Sequence, residues 1–148
     1  MQRVLICRVQ DWRCALPLAQ VVETMRVQAI RPLAGAPSFV LGVAVLRGQV
    51  VPVVDAAHLL GMPSGRAERL VSIRVDERVM ALAVSEVIGV RALDPGSLQA
   101  LPPLLGDSSA DLISAIGRLD AELLLVLRHA RLLPEAAWAA LDASGVLA

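Results

Sequence analysis

The stretch Gly42-Val43-Ala44-Val45-Leu46-Arg47-Gly48-Gln49-Val50-Val51-Pro52-Val53-Val54-Asp55 decides the fold. It reads as two apolar strands joined by a tight connection at Arg47-Gly48. Glycine there permits a positive φ, and the flanking β-branched residues suit a barrel wall. Pro52 has no N–H to give to a ladder, so its strand is expected at a sheet edge or at a bulge, where a partner barrel can dock.

Working outward, short β-type runs dominate: Val4 to Val9, Arg13 to Leu18, Val43 to Leu46, Val50 to Val54, Leu70 to Val75, Val79 to Val84, Leu112 to Leu119 and Glu122 to Leu127. Runs of this length between turn residues indicate an all-β barrel or sandwich. Helical patterns are few: a turn near Ala19 to Val22, another from Asp55 through Leu60, and an amphipathic stretch from Pro134 to Leu141. Pro134 suits a first helical position, where a missing N–H costs nothing. Between Asp94 and Asp111 the prolines and glycines interrupt any regular element, giving an irregular loop.

The chain repeats itself weakly. A shift of about 66 residues lays Cys7-Arg8-Val9-Gln10-Asp11 on Ile73-Arg74-Val75-Asp76-Glu77, and Gln20-Val21-Val22 on Glu86-Val87-Ile88. A slightly larger shift lays Val53-Val54 through Leu59-Leu60 on Val126-Leu127 through Leu132-Leu133, so the hairpin at Arg47-Gly48 is echoed by Ile116 to Leu127. Only the first copy has Arg-Gly at its turn. Two related halves of about five strands each are expected, meeting at an apolar seam, with the boundary at Gly61 to Arg69.

Composition narrows the function. Lys+Arg and Asp+Glu are both 14, and the aromatic residues are Phe39, Trp12 and Trp138, which argues against nucleic acid as a partner. Mean hydropathy is +0.64, yet Arg47 and Arg128 interrupt the apolar runs well short of the roughly 20 residues a spanning helix needs. Arg3, Arg8, Asp11 and Arg13 break up the N-terminal apolar stretch, so no signal peptide is read and a cytoplasmic location is expected. Cys7 and Cys14 fall in neighbouring strands with nothing to complete a metal site, and read as buried reduced thiols.

A hydrolase could be assembled on paper from Ser85 or Ser64, His58 or His129, and Asp55. The contexts oppose it: there is no Gly-x-Ser-x-Gly elbow, Ser85 ends an ordinary strand, and His58 sits at the rim of a helical turn. A phosphate-cradling loop is equally unsupported, since the chain contains no Lys. No catalytic residue, metal or cofactor is assigned.

The segment Leu46-Arg47-Gly48 followed by Pro52-Val53-Val54-Asp55 resembles the motif of CheW-like domains, the bacterial chemotaxis coupling modules. The resemblance takes in Val21-Val22-Glu23, Ala36-Pro37-Ser38-Phe39, and Leu124-Leu125-Val126-Leu127 through Leu132-Leu133. It implies an all-β fold of two intertwined SH3-like five-stranded β-barrels with short helices and a C-terminal helix. The expected division is one domain over 1–148, with a first barrel at about 13–66 completed by strands from the termini, a second at about 67–133, and a helix at about 134–143. It further implies a non-catalytic adaptor, without cofactor, that links chemoreceptor tips to the regulatory barrel domain of the histidine kinase CheA and leaves room for rings with other CheW-like proteins.

By position, Val21, Glu23, Gly42, Arg47 and Gly48 match family positions at the receptor-facing groove and its supporting turn. For Val21 and Gly42, core packing and backbone geometry explain the residue as well as contact does. Glu23 and Arg47 are expected to pair across the first barrel. Kinase docking is expected on a barrel edge of the first half, without assigned residues. Departures from the family pattern fall at Ala44 and Val45, at Ala56-Ala57, at Ser85 where Asp is common, and at Arg128. They leave open a scaffold of an accessory array, for twitching or surface sensing. The run from Met1 through the terminal helix reads as a stand-alone protein rather than a piece of a receiver-fused chain or of the kinase.

Overall fold

A computed structural model of the chain describes residues 2–63, 65–94, 96, 113–119, 122–127 and 132–147. Among these residues the strands are β1 (Gln2–Val9), β2 (Trp12–Pro17), β3 (Val21–Arg26), β4 (Val40–Leu46), β5 (Gln49–Asp55), β6 (Arg69–Val75), β7 (Arg78–Val84), β8 (Glu86–Leu93), β9 (Ile113–Leu119) and β10 (Glu122–Leu127). A 3-10 turn at Leu18–Gln20 leads into β3, helix α1 (Ala56–Leu59) follows β5, and helix α2 (Glu135–Ser144) follows β10. The all-β expectation holds. Pro134 stands one position earlier than expected, as the N-cap of α2.

Two five-stranded sheets form, in the orders β8-β1-β2-β10-β9 and β3-β6-β7-β5-β4. Each order becomes the other when every strand is advanced by half the chain. The intertwining is an exchange of hairpins. β1 and β2 sit in the sheet of β8 to β10, while β6 and β7, within the stretch 67–133, complete the sheet of β3 to β5. The repeat extends to the irregularities. Val21↔Ile73 and Glu23↔Ser72 flank a bulge in one sheet, and their counterparts one repeat away, Val87↔Cys7 and Gly89↔Ile6, flank a bulge in the other.

The exchange explains the unbroken apolar runs. A strand buried on one face alternates, but one buried on both faces must be apolar throughout. In β1, Leu5, Cys7 and Val9 join the large cluster between the sheets, while Val4 and Ile6 join the smaller cluster inside their own sheet. β7 divides likewise: Met80, Leu82 and Val84 face the seam, and Ala81 and Ala83 face inward. Leu132, Leu133 and, from α2, Ala137, Trp138 and Leu141 extend the seam cluster. Arg78 fastens this helix, stacking 4.8 Å over the Trp138 ring and donating to Asp142 Oδ2 at 2.7 Å.

Among the described residues neither ladder runs round into a full ring; each SH3-like sheet stays open between its end strands. In the sheet of β3 to β5 the connection after β3 spans the gap. Arg31 and Val43 exchange backbone hydrogen bonds of 2.8 and 2.9 Å along the free side of β4. Gly42 makes this possible. It lies at a bulge with φ 144°, and a Cβ there would stand 2.6 Å from the Arg31 carbonyl carbon and 2.9 Å from Pro32 Cα, and closer still to the Arg31 oxygen.

The expectation for Pro52 is corrected. Its strand β5 is interior, between β7 and β4, and the adjacent bulge lies between Val40 and Gly42. Proline is tolerated because the parallel ladder to β7 starts only at Val53. The true edges are β3 and β4.

The two glycines of the decisive hairpin therefore differ in kind. Gly42→Ala must displace backbone and is expected to cost about 2–4 kcal/mol. Gly48→Ala meets open space and pays only for its positive φ, about 1 kcal/mol. Urea denaturation of both variants tests the order; equal losses would show that the Arg31 contact does not hold the barrel closed.

Candidate functional site

Glu23 is placed by a fault in the β3 ladder. The bulge between Val21 and Glu23 interrupts regular pairing with β6. The buried hydroxyl of Ser72 fills the break, accepting from the Glu23 N–H at 3.1 Å and lying 3.3 Å from the Glu23 carbonyl oxygen, to which it can donate. Val21, half-buried, packs against the seam cluster, and Val22 is left exposed beside it.

Arg47 approaches from the other edge. It and Gly48 form the β4–β5 turn with φ of 53° and 76°, the mirror-image turn whose twist suits a hairpin. Its guanidinium takes the Glu23 carboxylate in a forked grip: Nη2 donates to Oε2 at 2.9 Å, and Nε lies 3.2 and 3.3 Å from Oε1 and Oε2. The expected pair therefore forms, across the same gap that Arg31 and Val43 bridge. It is a surface interaction, with the Arg47 side chain 83% exposed and that of Glu23 28%. Such pairs orient side chains more than they stabilise folds. The hydrogen bonds from Arg47, aided by its charge and opposed by some desolvation, hold the Glu23 carboxyl below the usual carboxylate range, and reciprocally raise Arg47.

The sites named from sequence thus divide. Glu23, Arg47 and Gly48 converge on one surface; Gly42 supports it through the Arg31 bridge, and Val21 through the core. Ser72 was missed, although a serine within Leu70-Val71-Ser72-Ile73 is the signal for a polar group with a backbone duty. Arg31 was missed because nothing local marks its pairing with Val43. Among the departures, Ala44, Ala56 and Ala57 are buried, Val45 is 64% exposed on the β4 edge, and Ser85 fastens the β7–β8 crossover to β1. Its N–H donates to the Arg8 carbonyl oxygen and its Oγ accepts from the Gln10 N–H, both at 2.9 Å. Arg128 lies outside the described residues.

The hydrolase constellation does not assemble among the described residues. His58 Nε2 pairs with Ser38 Oγ at 3.0 Å, Asp55 Oδ1 accepts the Ala57 N–H at 3.1 Å as a helix cap, and Ser85 is engaged with Gln10. Ser64 and His129 lie outside the described residues. No metal-ligating cluster occurs among those described, and no described helix is long and apolar enough to cross a membrane. Cys7 and Cys14 stand directly opposite each other as free thiols, and burial pushes both up to about 12.

Comparison with known proteins gives this arrangement a family. Residues 3–137 match the CheW-like domain. The chain is 33% identical over 107 residues to Protein FrzA of Myxococcus xanthus, and 33% identical over 104 residues to Chemotaxis protein CheW of Rhizobium meliloti (strain 1021). These matches take in 70% and 68% of this chain and 66% of each relative, so the chain spans slightly under two thirds of their length. The crystal structure of the scaffolding protein TtCheW from Thermoanaerobacter tengcongensis superposes with a TM-score of 0.82 at 19% identity, over 92% of this chain and 94% of that one, which shows the shared fold. The chain belongs to the CheW-like domain family.

Two measurements follow from the site. Because Glu23 titrates below its unfolded value, the contribution of the pair to stability is complete above the ordinary carboxylate range and is lost as pH falls through the lowered value. In Arg47→Gln, carboxyl NMR should show the Glu23 midpoint moving up toward an ordinary glutamate; an unmoved midpoint would contradict the assigned cause. For the thiols, Ellman's reagent should react with neither cysteine until denaturant unfolds the chain. Rapid reaction in native buffer would contradict their burial.

Proposed function

We propose that this chain is a non-catalytic adaptor that couples chemoreceptors, the methyl-accepting chemotaxis proteins, to the histidine kinase CheA in cytoplasmic chemosensory arrays. Family membership supports the scaffold role. The observation that carries the receptor side is the Glu23–Arg47 pair, held by Ser72 on one edge and a positive-φ turn on the other. In this reading Val21, Glu23 and Arg47 form the receptor surface, with Gly42 and Gly48 as its supports. The regulatory barrel of CheA docks on a barrel edge of the same half, where β4 exposes Val45. An arginine is costly in a left-handed turn, so a residue with no role beyond the turn would more readily be Gly or Asn.

A second reading keeps the fold and changes the array. The likeness to FrzA, a relative whose name is not that of a chemotaxis CheW, favours a scaffold of an accessory assembly, as for twitching or surface sensing.

A pull-down with receptor cytoplasmic tips and CheA tests both. Retention of both partners is expected for the native chain. Glu23→Arg or Arg47→Glu alone should weaken receptor retention, and the double exchange should restore it in part, with circular dichroism confirming folded protein. Losses that simply add would sink the pairing as a receptor determinant. Retention of receptor tips without CheA would shift the assignment to an accessory array.

A further inference from the structure

The far end of β3 carries a pairing that electrostatics disfavours. Arg26 stands directly opposite Arg69 of β6. Like charges at opposed positions repel when they share a sheet face. Neither guanidinium has an ion-pair partner among the described residues. Arg66 lines the same groove, together with Val27, Ala67 and Glu68. The acidic residue among them, Glu68, sits 3.8 Å from Arg66 in a loose pair whose members are 89% and 65% exposed. Three arginines and one glutamate thus line the groove. The chain as a whole is neutral, so this excess is local and not the reflection of a basic protein.

We propose that this groove binds an acidic segment of a partner protein: an extended peptide whose two or more carboxylates engage Arg26, Arg66 and Arg69, with an apolar side chain resting on Val27 and Ala67. The chemistry is specific. The planar guanidinium suits forked recognition of a carboxylate, and a pair of them without an internal anion is complementary to a pair of carboxylates without a cation. Val27 is exposed and Ala67 half-buried, which supplies an apolar floor between the charges. Nucleic acid fits poorly, since no aromatic side chain lines the groove. The surface goes beyond the coupling reading: it does not use the Glu23–Arg47 pair, and it can stand or fall independently.

The probe is a fluorescein-labelled peptide of alternating Glu and Gly carrying four carboxylates, with the Gln-Gly peptide as control, in fluorescence anisotropy against the full chain. The Glu peptide should bind, weaken as salt rises from about 50 to about 500 mM, and lose at least about tenfold in affinity with Arg26→Glu/Arg69→Glu. Arg26→Gln/Arg69→Gln gives the same reading should the reversed charges impair folding. The single variant Arg26→Glu separates binding from structure: it places opposite charges across the ladder, so its melting temperature should equal or exceed that of the native chain while binding falls. No binding at millimolar peptide, equal binding of the Gln peptide, or affinity unchanged in the variants would each overturn the proposal. So would a salt-sensitive dimer in sedimentation that the variants abolish, since the occupant would then be a second copy offering an acidic turn such as Asp76-Glu77.

Discussion

The structure depends on the burial of two hairpins on both their faces. β1–β2 and β6–β7 each lend one set of side chains to the interior of a sheet and the alternate set to the seam between the sheets. A hairpin so placed cannot be solvated on either side, so neither sheet is complete without strands from the other half of the chain. The seam is therefore a core rather than an interface between separable domains. The ladder most distant in sequence, β2 with β10, sets Cys14 opposite Leu125 and forms only when both ends of the chain have been brought together. Such topology makes folding cooperative and slow, because loop-closure entropy is lost before the contacts that offset it are made.

That constraint also decides what could be read from the sequence. Doubly buried strands announce themselves as apolar runs, and the expected strands Val4 to Val9 and Val79 to Val84 lie within the observed β1 and β7. The two strands that escaped notice, β3 and β8, occupy the same place in the repeat, both at sheet edges. There half the side chains face water, Glu23, Thr24 and Arg26 dilute one pattern, and Gly89 interrupts the other. Pro52 misled for a related reason: a missing donor marks a position bordered by one ladder, which an interior strand can offer where its second ladder begins late. The hairpin exchange left no local trace, because the shared pattern of the two halves makes β1–β2 and β6–β7 interchangeable.

The site was legible in part. Glu23, Arg47, Gly42 and Gly48 stood out by position, and the structure joins the first two directly. What pattern could not supply was the means of joining them. Ser72 acts through a bulge whose existence is a matter of register, and Arg31 acts through an isolated bridge with no periodicity around it. The first contact lies within the β3–β6 ladder and the second along the free side of β4, and each joins residues remote in sequence through backbone atoms that carry no identity.

Comparing the two halves separates what the fold requires from what the site adds. The bulges recur in both copies, so they belong to the barrel: they bend the strand and let an open sheet curve. Their occupants do not recur. Where the first copy sets Glu23 against the hydroxyl of Ser72, the second sets Gly89 against Ile6, with no charge to present and no hydroxyl to hold it. Where the first copy turns at Arg47-Gly48, the counterpart is Asp120-Ala121. The second copy keeps its bulge and its register without these residues, so the shared sheet geometry does not depend on them. The acid, its serine support and the strained arginine are present together in one copy and absent together from the other, so they form a unit that the barrel itself does not need.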